Sequence, residues 1–335
     1  MKKILLVLSL LLLLGLEAGS FTFFYLKLDK IQEKIVYLEK VVEELPEPMD
    51  PKNVGDNQPI QPGEVMQPGS NPLANHDTFI AYGDDADSIV PSAEPIFEGA
   101  SVPEVVQLDN GDLLLYFVDA ETLTSGGTEQ IGYSKSTDGG VTWSEKDHVV
   151  FSGKLNQGPA VDPSLVELLD GTLRMYFYGP DGPITDVGSD TSEHNVYSAV
   201  SEDGISFAVE EGARFSAEKL TDPEVIWHQG RWLMYYSLGT TTGIATSNDG
   251  LAWSDTEFDW SGGGVPGAYV DGDDVVHLYG CNPQGLLTAA SVDGVEFTEE
   301  PVQAFSETIM GVCDPSPVLL DDGSMIMVYK QIAKE

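Results

Sequence analysis

Short apolar runs separated by turn residues recur along the chain from residue 77 to residue 335. In each repeat an X-Pro step opens a β-rich run, and a polar or Gly turn leads to a second apolar run that contains Tyr. The five repeats begin at Val102, Asp162, Asp222, Val265 and Asp314. A turn of the Asp-Gly type between two apolar runs is the strongest short-range signal for a β-hairpin. The pattern therefore predicts five hairpins.

A second motif, Ser-x-Asp-Gly followed by an aromatic residue, lies out of phase with the hairpins. Its copies span residues 136–143, 201–207, 247–253 and 291–297. The Asp side chain of such a turn bonds nearby backbone N–H groups, Gly takes a positive φ, and the aromatic ring anchors the turn in the core. Repetition at this period indicates supersecondary units that bury their apolar faces against one another. We expect these turns to be structural.

Joining the two motifs gives a four-stranded blade, and the fifth blade lacks its last two strands at the C-terminal end. Residues 79–89 predict the missing third strand and turn, and residues 94–97 predict the outer strand. Pairing of these N-terminal strands with the C-terminal ones would close a ring and remove open sheet edges. The sequence thus predicts an all-β, five-bladed β-propeller over residues 77–335.

The N-terminal part predicts a tether. Residues 1–26 have a charged start and an apolar run long enough to cross a bilayer, which favours a signal anchor; the alternative is a signal peptide cleaved near Ala18. Residues 27–45 carry a heptad pattern that predicts a coiled-coil stalk and a parallel homodimer, with a lone amphipathic helix as the alternative. Residues 46–76 are rich in Pro and predict a disordered spacer. We expect a single-pass membrane protein with an extracytoplasmic propeller, or a secreted one if the signal is cleaved.

Composition narrows the choice of partners. The formal net charge is −39, from 55 acidic and 16 basic residues, which excludes ordinary electrostatic binding to nucleic acid. Acidic loops such as residues 181–190 offer oxygen ligands for a structural calcium ion but match no dedicated calcium-loop spacing, and a solvated acidic surface is the alternative. No other cofactor is predicted. Cys281 and Cys313 either form a disulfide, which an exported protein permits, or are buried thiols.

Candidate chemistry lies where the five inner strands converge. Asp162, Asp222 and Asp314 precede the prolines of three X-Pro steps, and carboxylates that face a common axis raise one another's pKa. Splitting the pKa values of neighbouring carboxyls is how a site obtains an acid and a base at one pH. Glu104 and Glu224 lie two positions after the X residue, so strand alternation points them to the same side.

Runs such as Val161-Asp162-Pro163-Ser164-Leu165 and Trp232-Leu233-Met234-Tyr235-Tyr236-Ser237 resemble the arabinanase, β-xylosidase and invertase-like five-bladed glycosidases. Those families place an Asp base, a second Asp that tunes the pKa and a Glu acid at the axis. The resemblance implies Asp162 or Asp314 as the base and Asp222 as the tuning residue. Val102 replaces Asp in the first blade and the fourth blade has no Glu, so Glu224 is the substitute for the acid. Four side chains are candidate substrate contacts, with core packing as the alternative for the aromatic ones: Glu104, Trp227, His228 and Trp232.

The Ser-x-Asp-Gly turns are also similar to the Asp-box of sialidases. Sialidases clamp the substrate carboxylate with three Arg, whereas Arg174 and Arg231 fall in or near second strands, away from the X-Pro steps. The sequence leaves two main hypotheses: an inverting glycosidase that acts on neutral polysaccharide, or a non-catalytic propeller that binds a carbohydrate or a protein at the cell surface. A sialidase is the less favoured third.

Overall fold

The computed structural model describes residue 73 and residues 75–83, 89–120, 130–153, 160–179, 193–298, 301–305 and 311–332. This part of the chain contains strands and no helix. None of its segments is a helix with the length and hydropathy needed to cross a bilayer. The predicted anchor (1–26), the coiled coil (27–45) and residues 46–72 of the predicted linker lie outside the described residues.

The strands form five sheets, which we call blades 1 to 5. Neighbouring strands are antiparallel except for β7 and β11 of blade 2, which are parallel. Blade 1 contains β3 (Ala100–Gln107), β4 (Leu113–Asp119), β5 (Gln130–Ser136) and β6 (Asp147–His148). Blade 2 contains β8 (Val161–Glu167), β9 (Leu173–Gly179), β10 (Glu193–Ser201) and β11 (Ser206–Val209), with β7 (Val150–Ser152) beside β11 and β12 (Phe215–Glu218) beside β10. Blade 3 contains β13 (Thr221–His228), β14 (Arg231–Ser237), β15 (Thr242–Ser247) and β16 (Ser254–Trp260).

Blade 4 contains β17 (Gly264–Val270), β18 (Val276–Asn282), β19 (Gly285–Ser291) and β20 (Val302–Gln303). Blade 5 combines the two ends of the propeller: β21 (Val312–Leu319) and β22 (Met325–Ile332) with β1 (His76–Gly83) and β2 (Val90–Pro91). The inner strands β3, β8, β13, β17 and β21 contact one another in that order, and β21 contacts β3. The predicted five-bladed, all-β propeller is therefore confirmed.

Ring closure follows the prediction in its main feature and differs in one detail. β1 pairs with β22 along its whole length, from His76 opposite Ile332 to Gly83 opposite Met325. The outer strand is β2, however, and not residues 94–97, of which only Phe97 forms a bridge, with Thr78. Pro95 within the predicted strand has no N–H to donate, so a continuous ladder cannot form there.

The core lies between the blades. The second strands contribute many of its side chains, and every residue of β4 is buried. Tyr116 of blade 1 packs edge-on against Phe207 of blade 2, with ring centroids 6.2 Å apart. Removal of such apolar area from water is the main favourable contribution to folding. Each blade therefore depends on its neighbours.

In each Ser-x-Asp-Gly turn, the Ser hydroxyl forms hydrogen bonds with the Asp carboxylate and with a backbone N–H of the same turn. The hydroxyl of Ser136 donates to Asp138 Oδ1 at 2.8 Å and accepts the N–H of Gly140 at 3.0 Å. The other three turns repeat both bonds, from Ser201, Ser247 and Ser291. These bonds satisfy the backbone at a tight turn.

The same turns also join neighbouring blades. A Tyr hydroxyl on the second strand of one blade donates to the Gly carbonyl in the turn of the next blade. The pairs are Tyr116 to Gly204, Tyr176 to Gly250 and Tyr235 to Gly294, at 2.7 to 2.8 Å. We call this contact the tyrosine latch.

The two cysteines are joined. Cys281 of β18 and Cys313 of β21 form a disulfide with their Cα atoms 5.2 Å apart. Of the two alternatives that the sequence allows, the structure therefore has the disulfide. The bond links blade 4 covalently to blade 5.

Candidate functional site

All five inner strands are bulged at the X-Pro step. The residue before proline has φ between 47° and 53° in every blade, and the strand register shifts at the same point. A bulge re-aims a side chain and bends the strand. Non-glycine residues seldom adopt a left-handed φ, and Asp does so more readily than a β-branched residue such as Val102. Five equivalent bulges therefore surround one point on the axis.

The five X-Pro steps line a central cavity of about 20 Å³. Its walls include Asp162, Asp222 and Asp314 from three blades, and also Glu104 and Glu224. The five predicted acids therefore lie around one cavity. A cavity of this size holds about one water molecule.

Lys330 of β22 lies among the axial acids, and sequence reasoning missed it. Its ammonium is ion-paired with Asp314, and both side chains are almost entirely buried. Burial opposes a charge on Lys330, but Asp314, Asp222 and Asp162 outweigh that effect and raise the pKa of the ammonium above its usual value. Its only signal in the sequence is a Lys that follows the apolar run Met325–Tyr329.

Asp222 differs electrostatically from an ordinary aspartate. Burial and the charge of Asp314 raise its pKa to about 6, while a hydrogen bond from Thr221 and the charge of Lys330 act in the opposite direction. Desolvation and a nearby like charge both disfavour a carboxylate. A carboxyl with this pKa carries a proton on a large fraction of molecules in mildly acidic solution.

His76, at the start of β1, is a second basic group beside the ion pair. Its Nδ1 lies 2.9 Å from Ser101 Oγ. Burial and the charge of Lys330 lower the pKa of the imidazole to about 4, against the opposing effects of Asp314 and Asp77. His76 is therefore neutral at neutral pH.

The carboxyls of Glu104 and Glu224 form hydrogen bonds between blades. Glu104 Oε1 accepts the N–H of Leu165 in blade 2 at 3.1 Å, and its Oε2 accepts the hydroxyl of Ser316 in blade 5 at 2.6 Å. Glu224 Oε1 accepts the N–H of Ala268 in blade 4 at 3.1 Å. Each Glu therefore bonds to a neighbouring blade.

Serines occupy the equivalent position in two other blades. The hydroxyl of Ser164 accepts the N–H of Val225 at 3.0 Å, and that of Ser316 accepts the N–H of Val105 at 2.9 Å. In the fourth blade the position is Gly267, where a Cβ would clash with the Pro315 carbonyl. Side chains two residues after the X position thus form an inter-blade belt, made of Glu104, Ser164, Glu224 and Ser316.

Burial dominates the titration of both belt glutamates. It raises the pKa of Glu104 to about 7, against the hydrogen bonds from Ser316 and Leu165. Burial and the charge of Glu104 raise the pKa of Glu224 well above its usual value, against the hydrogen bonds from Ala268 and Ser164. The belt therefore favours protonated carboxyls.

Trp227 and His228 lie at the other end of β13 from Asp222, and Trp232 lies opposite Trp227 on β14. Trp227 and His228 come five and six residues after Asp222, roughly 16 Å or more along the strand. Trp227 is half exposed and packs edge-on against Trp232, with ring centroids 4.9 Å apart. His228 is buried, and its Nε2 lies 3.0 Å from the carbonyl of Asp274. The structure therefore does not bring these three residues to the axial cavity.

The arginines do not form a cluster. Arg174 makes a two-point pair with Glu210, Arg214 bonds to the Glu211 and Gly212 carbonyls, and Arg231 donates to the Asp293 carbonyl. None of the three lines the axial cavity. The described residues also contain no group of three or more His, Cys, Asp or Glu side chains arranged to hold a metal ion. The acidic loop at residues 181–190 lies outside them.

Comparison with known proteins identifies the fold. No family model matches the chain, and no curated protein matches it in sequence. Among solved structures, a protein of unknown function from Dyadobacter fermentans matches with a TM-score of 0.54 and 17% identity, over 78% of this chain and 86% of that one. A family 117 glycoside hydrolase from Zobellia galactanivorans matches with a TM-score of 0.50 and 15% identity, over 70% of this chain and 85% of that one.

A family 32 β-fructofuranosidase from Bombyx mori matches with a TM-score of 0.51 and 13% identity, over 77% of this chain. The match covers 58% of the Bombyx mori enzyme, which is the longer protein. At these identities the similarity identifies an architecture. The chain therefore shares its five-bladed β-propeller fold with glycoside hydrolases, as the resemblance of its sequence predicts.

Proposed function

We propose that this protein is a glycoside hydrolase that acts on neutral polysaccharide by inversion at the axial cavity. The observation that carries the proposal is the convergence of Asp162, Asp222 and Asp314 on one cavity that has room for a water molecule. Inversion needs a base that activates a water and an acid that protonates the leaving oxygen. Aspartates in unlike environments supply both.

The electrostatics support a division of roles. Asp222, with its pKa raised to about 6, is the candidate acid, since it retains a proton where an ordinary aspartate has lost it. Asp314 is ion-paired with Lys330 and contributes the charge that raises the pKa of Asp222. Asp162 is then the base. Glu224, the acid that the sequence resemblance implies, accepts the N–H of Ala268 within the belt, so we assign the acid to Asp222.

The substrate class follows from charge. A chain with a formal net charge of −39 repels polyanions and favours uncharged glycans. The sugar ring is too large for a cavity of about 20 Å³, so in this proposal the water occupies the cavity and the ring lies across its mouth.

The second candidate is a non-catalytic propeller that binds carbohydrate or protein. The left-handed φ at every X-Pro step favours it, because Asp tolerates that conformation and could be selected for the backbone alone. The use of Glu104 and Glu224 in the belt also favours it. A sialidase is disfavoured because Arg174, Arg214 and Arg231 each have separate partners.

Two features of the chain support its export. A charged and apolar N-terminal segment at residues 1–26 supports a membrane anchor, and the disulfide between Cys281 and Cys313 supports a non-cytoplasmic compartment. We propose a propeller on the outer side of the membrane, tethered through residues 27–76 and dimeric through 27–45. We also propose that an acidic loop of the propeller holds a structural calcium ion.

Hydrolysis by the full-length protein in detergent tests the proposal. The substrates are nitrophenyl α-arabinofuranoside, nitrophenyl β-xyloside and inulin, with Asp222→Asn as the variant and Asp249→Asn as the control. Asn tolerates a left-handed φ, so Asp222→Asn preserves the bulge. We expect it to lower kcat by at least about 100-fold, whereas Asp249→Asn, in an exposed turn, retains activity.

One result would decide against an enzyme, and another would change the identity of the acid. No turnover of any of the three substrates by the wild-type protein, together with binding to the corresponding polysaccharides, would establish the second candidate. Full activity of Asp222→Asn beside an inactive Glu224→Gln would return the acid to Glu224.

A further inference from the structure

The contact between blade 5 and blade 1 departs from the tyrosine latch that joins blades 1 to 4. In blades 1, 2 and 3 the latch Tyr lies in register with the belt residue. In blade 5 the residue in register with Ser316 is Val328, which has no hydroxyl. The carbonyl of Gly140 in blade 1 accepts instead a hydrogen bond of 2.9 Å from Tyr82, which lies on β1.

The turn of blade 1 is also unlike its counterparts. The N–H that bonds back to the turn Ser comes four residues later, at Gly140, whereas it comes three residues later in the other turns. A Cβ at Gly204 or Gly250 would meet the latch hydroxyl, but a Cβ at Gly140 would meet aliphatic carbons of Ile80 and Leu113. This seam therefore differs from the others in the length of its turn and in the strand that supplies the Tyr hydroxyl.

An aromatic cleft of about 320 Å³ lies at the seam. We call it the seam cleft and define it by Tyr82, Ser92, Glu94, Phe97, Val141 and Trp143. Tyr82 is 37% exposed and Val141 is 48% exposed. The cleft shares no lining residue with the axial cavity. Its volume lies at the lower end of the range for small-ligand sites, and Tyr82, Phe97 and Trp143 line it together with polar groups.

We propose that the seam cleft is a second binding site, separate from the axial cavity, and that it takes one or two sugar units of a neutral polysaccharide. Tyr82 Oη and Trp143 Nε1 both donate to the Gly140 carbonyl, which fixes the two rings in place. Rings held in this way present apolar surface at little further cost in conformational entropy. The C–H face of a sugar ring is a matching apolar surface.

The polar groups of the cleft favour a ligand that carries hydroxyl groups over one that carries negative charges. The Glu94 side chain is exposed and accepts hydrogen bonds, and it repels phosphate, sulfate or uronate groups. The strongly acidic chain acts in the same direction. Ser92 bonds to the Glu94 carbonyl and to the Ile80 N–H, which ties the cleft wall to β1. The choice of a neutral glycan rests on the proposed function, but the cleft itself does not.

The chain provides a matched control for the test. Trp253 holds the turn of blade 3 through the same bond, from its Nε1 to the Gly250 carbonyl, but it borders blade 2 and lies outside the seam cleft. Trp143→Ala and Trp253→Ala therefore remove the same Trp-to-Gly bond from the turns of two blades. Only Trp143→Ala removes a wall of the cleft.

Affinity electrophoresis of the full-length protein in detergent, in gels containing arabinan, arabinoxylan or inulin, measures the binding. We expect at least one polysaccharide to retard the wild type. Trp143→Ala should weaken that binding at least about fivefold, and Trp253→Ala should leave it within about twofold. Thermal unfolding of both variants shows whether they are comparably folded.

Asp222→Asn separates this proposal from the axial one. Retention by the gel that survives Asp222→Asn and is lost in Trp143→Ala supports the seam cleft even if the protein hydrolyses nothing. Equal weakening by the two Trp variants, no weakening by Trp143→Ala, or no retardation of the wild type by any of the three polysaccharides would overturn it.

Discussion

Lys330 of β22 is ion-paired with Asp314 of β21 inside the ring, one position beyond the residue with which it is in register, Cys313. The bulge at Asp314 makes this contact, because it turns the carboxylate from the sheet toward the axis. The ammonium partly neutralises three carboxyls from three blades. Lys330 therefore allows acidic inner strands to converge.

Replacement of Lys330 tests that statement. Lys330→Met keeps the apolar stem but leaves Asp314 buried without its cation, and the loss of one partner of a buried pair costs about 3 to 5 kcal/mol. We expect a fall of that size in the free energy of unfolding, measured with denaturant. Addition of Asp314→Asn to Lys330→Met should restore part of the loss. If the double variant is less stable than Lys330→Met, the pair is not the source of the effect.

The pH dependence of hydrolysis tests the role of Asp222. An acid must be protonated, so activity should fall as pH rises through about 6, the pKa of this carboxyl. The charge of Lys330 lowers that pKa, so Lys330→Met should move the descending limb of kcat to higher pH, while Lys330→Arg should leave it near its original place. A limb that is unmoved in Lys330→Met would remove Asp222 from the role of acid.

Glu104 makes stability depend on pH. Its pKa is about 7 in the folded protein and 4.5 ordinarily, so between these values the unfolded chain loses a proton that the folded chain keeps. Stability from this group is complete below pH 4.5 and is lost as pH rises through 7, by an amount on the order of 3 kcal/mol. Glu104→Gln should remove that part of the slope. Denaturant unfolding at pH 4.5 and 8 measures it, and Asp321→Asn, at an exposed turn, is the control.

The sequence predicts the propeller because its signals are local and repeated. Asp-Gly turns, X-Pro steps and Tyr-rich strands each specify backbone geometry within a few residues, and five copies make the ring. It also predicts that Asp162, Asp222 and Asp314 meet, since equivalent positions of equivalent strands must converge on an axis. Lys330 could not be assigned in this way, because the corresponding positions of the other four blades hold Val118, Tyr178, Ser237 and Cys281.

The predicted sugar contacts show which features of the site the sequence does not predict. Residue type alone suggests Trp227, His228 and Trp232 as sugar contacts, yet all three lie at the β13–β14 hairpin, away from Asp222. The sequence does not predict the inter-blade belt, for a related reason. Whether Glu224 faces a substrate or the Ala268 N–H of the next blade depends on the packing between blades, which no pattern within one strand encodes.

The tyrosine latch predicts unequal effects of one substitution. Tyr235→Phe removes a buried hydroxyl and leaves the Gly294 carbonyl without that donor, which costs about 1 to 3 kcal/mol. Tyr82→Phe removes the same kind of bond from a side chain that is 37% exposed, where water can replace it, so its cost should be below about 0.5 kcal/mol. Thermal unfolding of both variants measures the difference. Equal losses would mean that the seam between blades 5 and 1 is as closed as the others.

The disulfide gives the last prediction. Cys281 and Cys313 are 32 residues apart, and release of a loop of that length increases the entropy of the unfolded chain by an amount equivalent to about 3 to 4 kcal/mol. Reduction should lower the midpoint of denaturant unfolding accordingly, and the variant with Cys281→Ser and Cys313→Ser should show the lower midpoint with no response to reductant. Because Cys313 precedes Asp314 in the chain, the same variant should also lose activity at the axis. If the Ser variant unfolds at the wild-type midpoint, the covalent link between blades 4 and 5 contributes nothing to the closure of the ring.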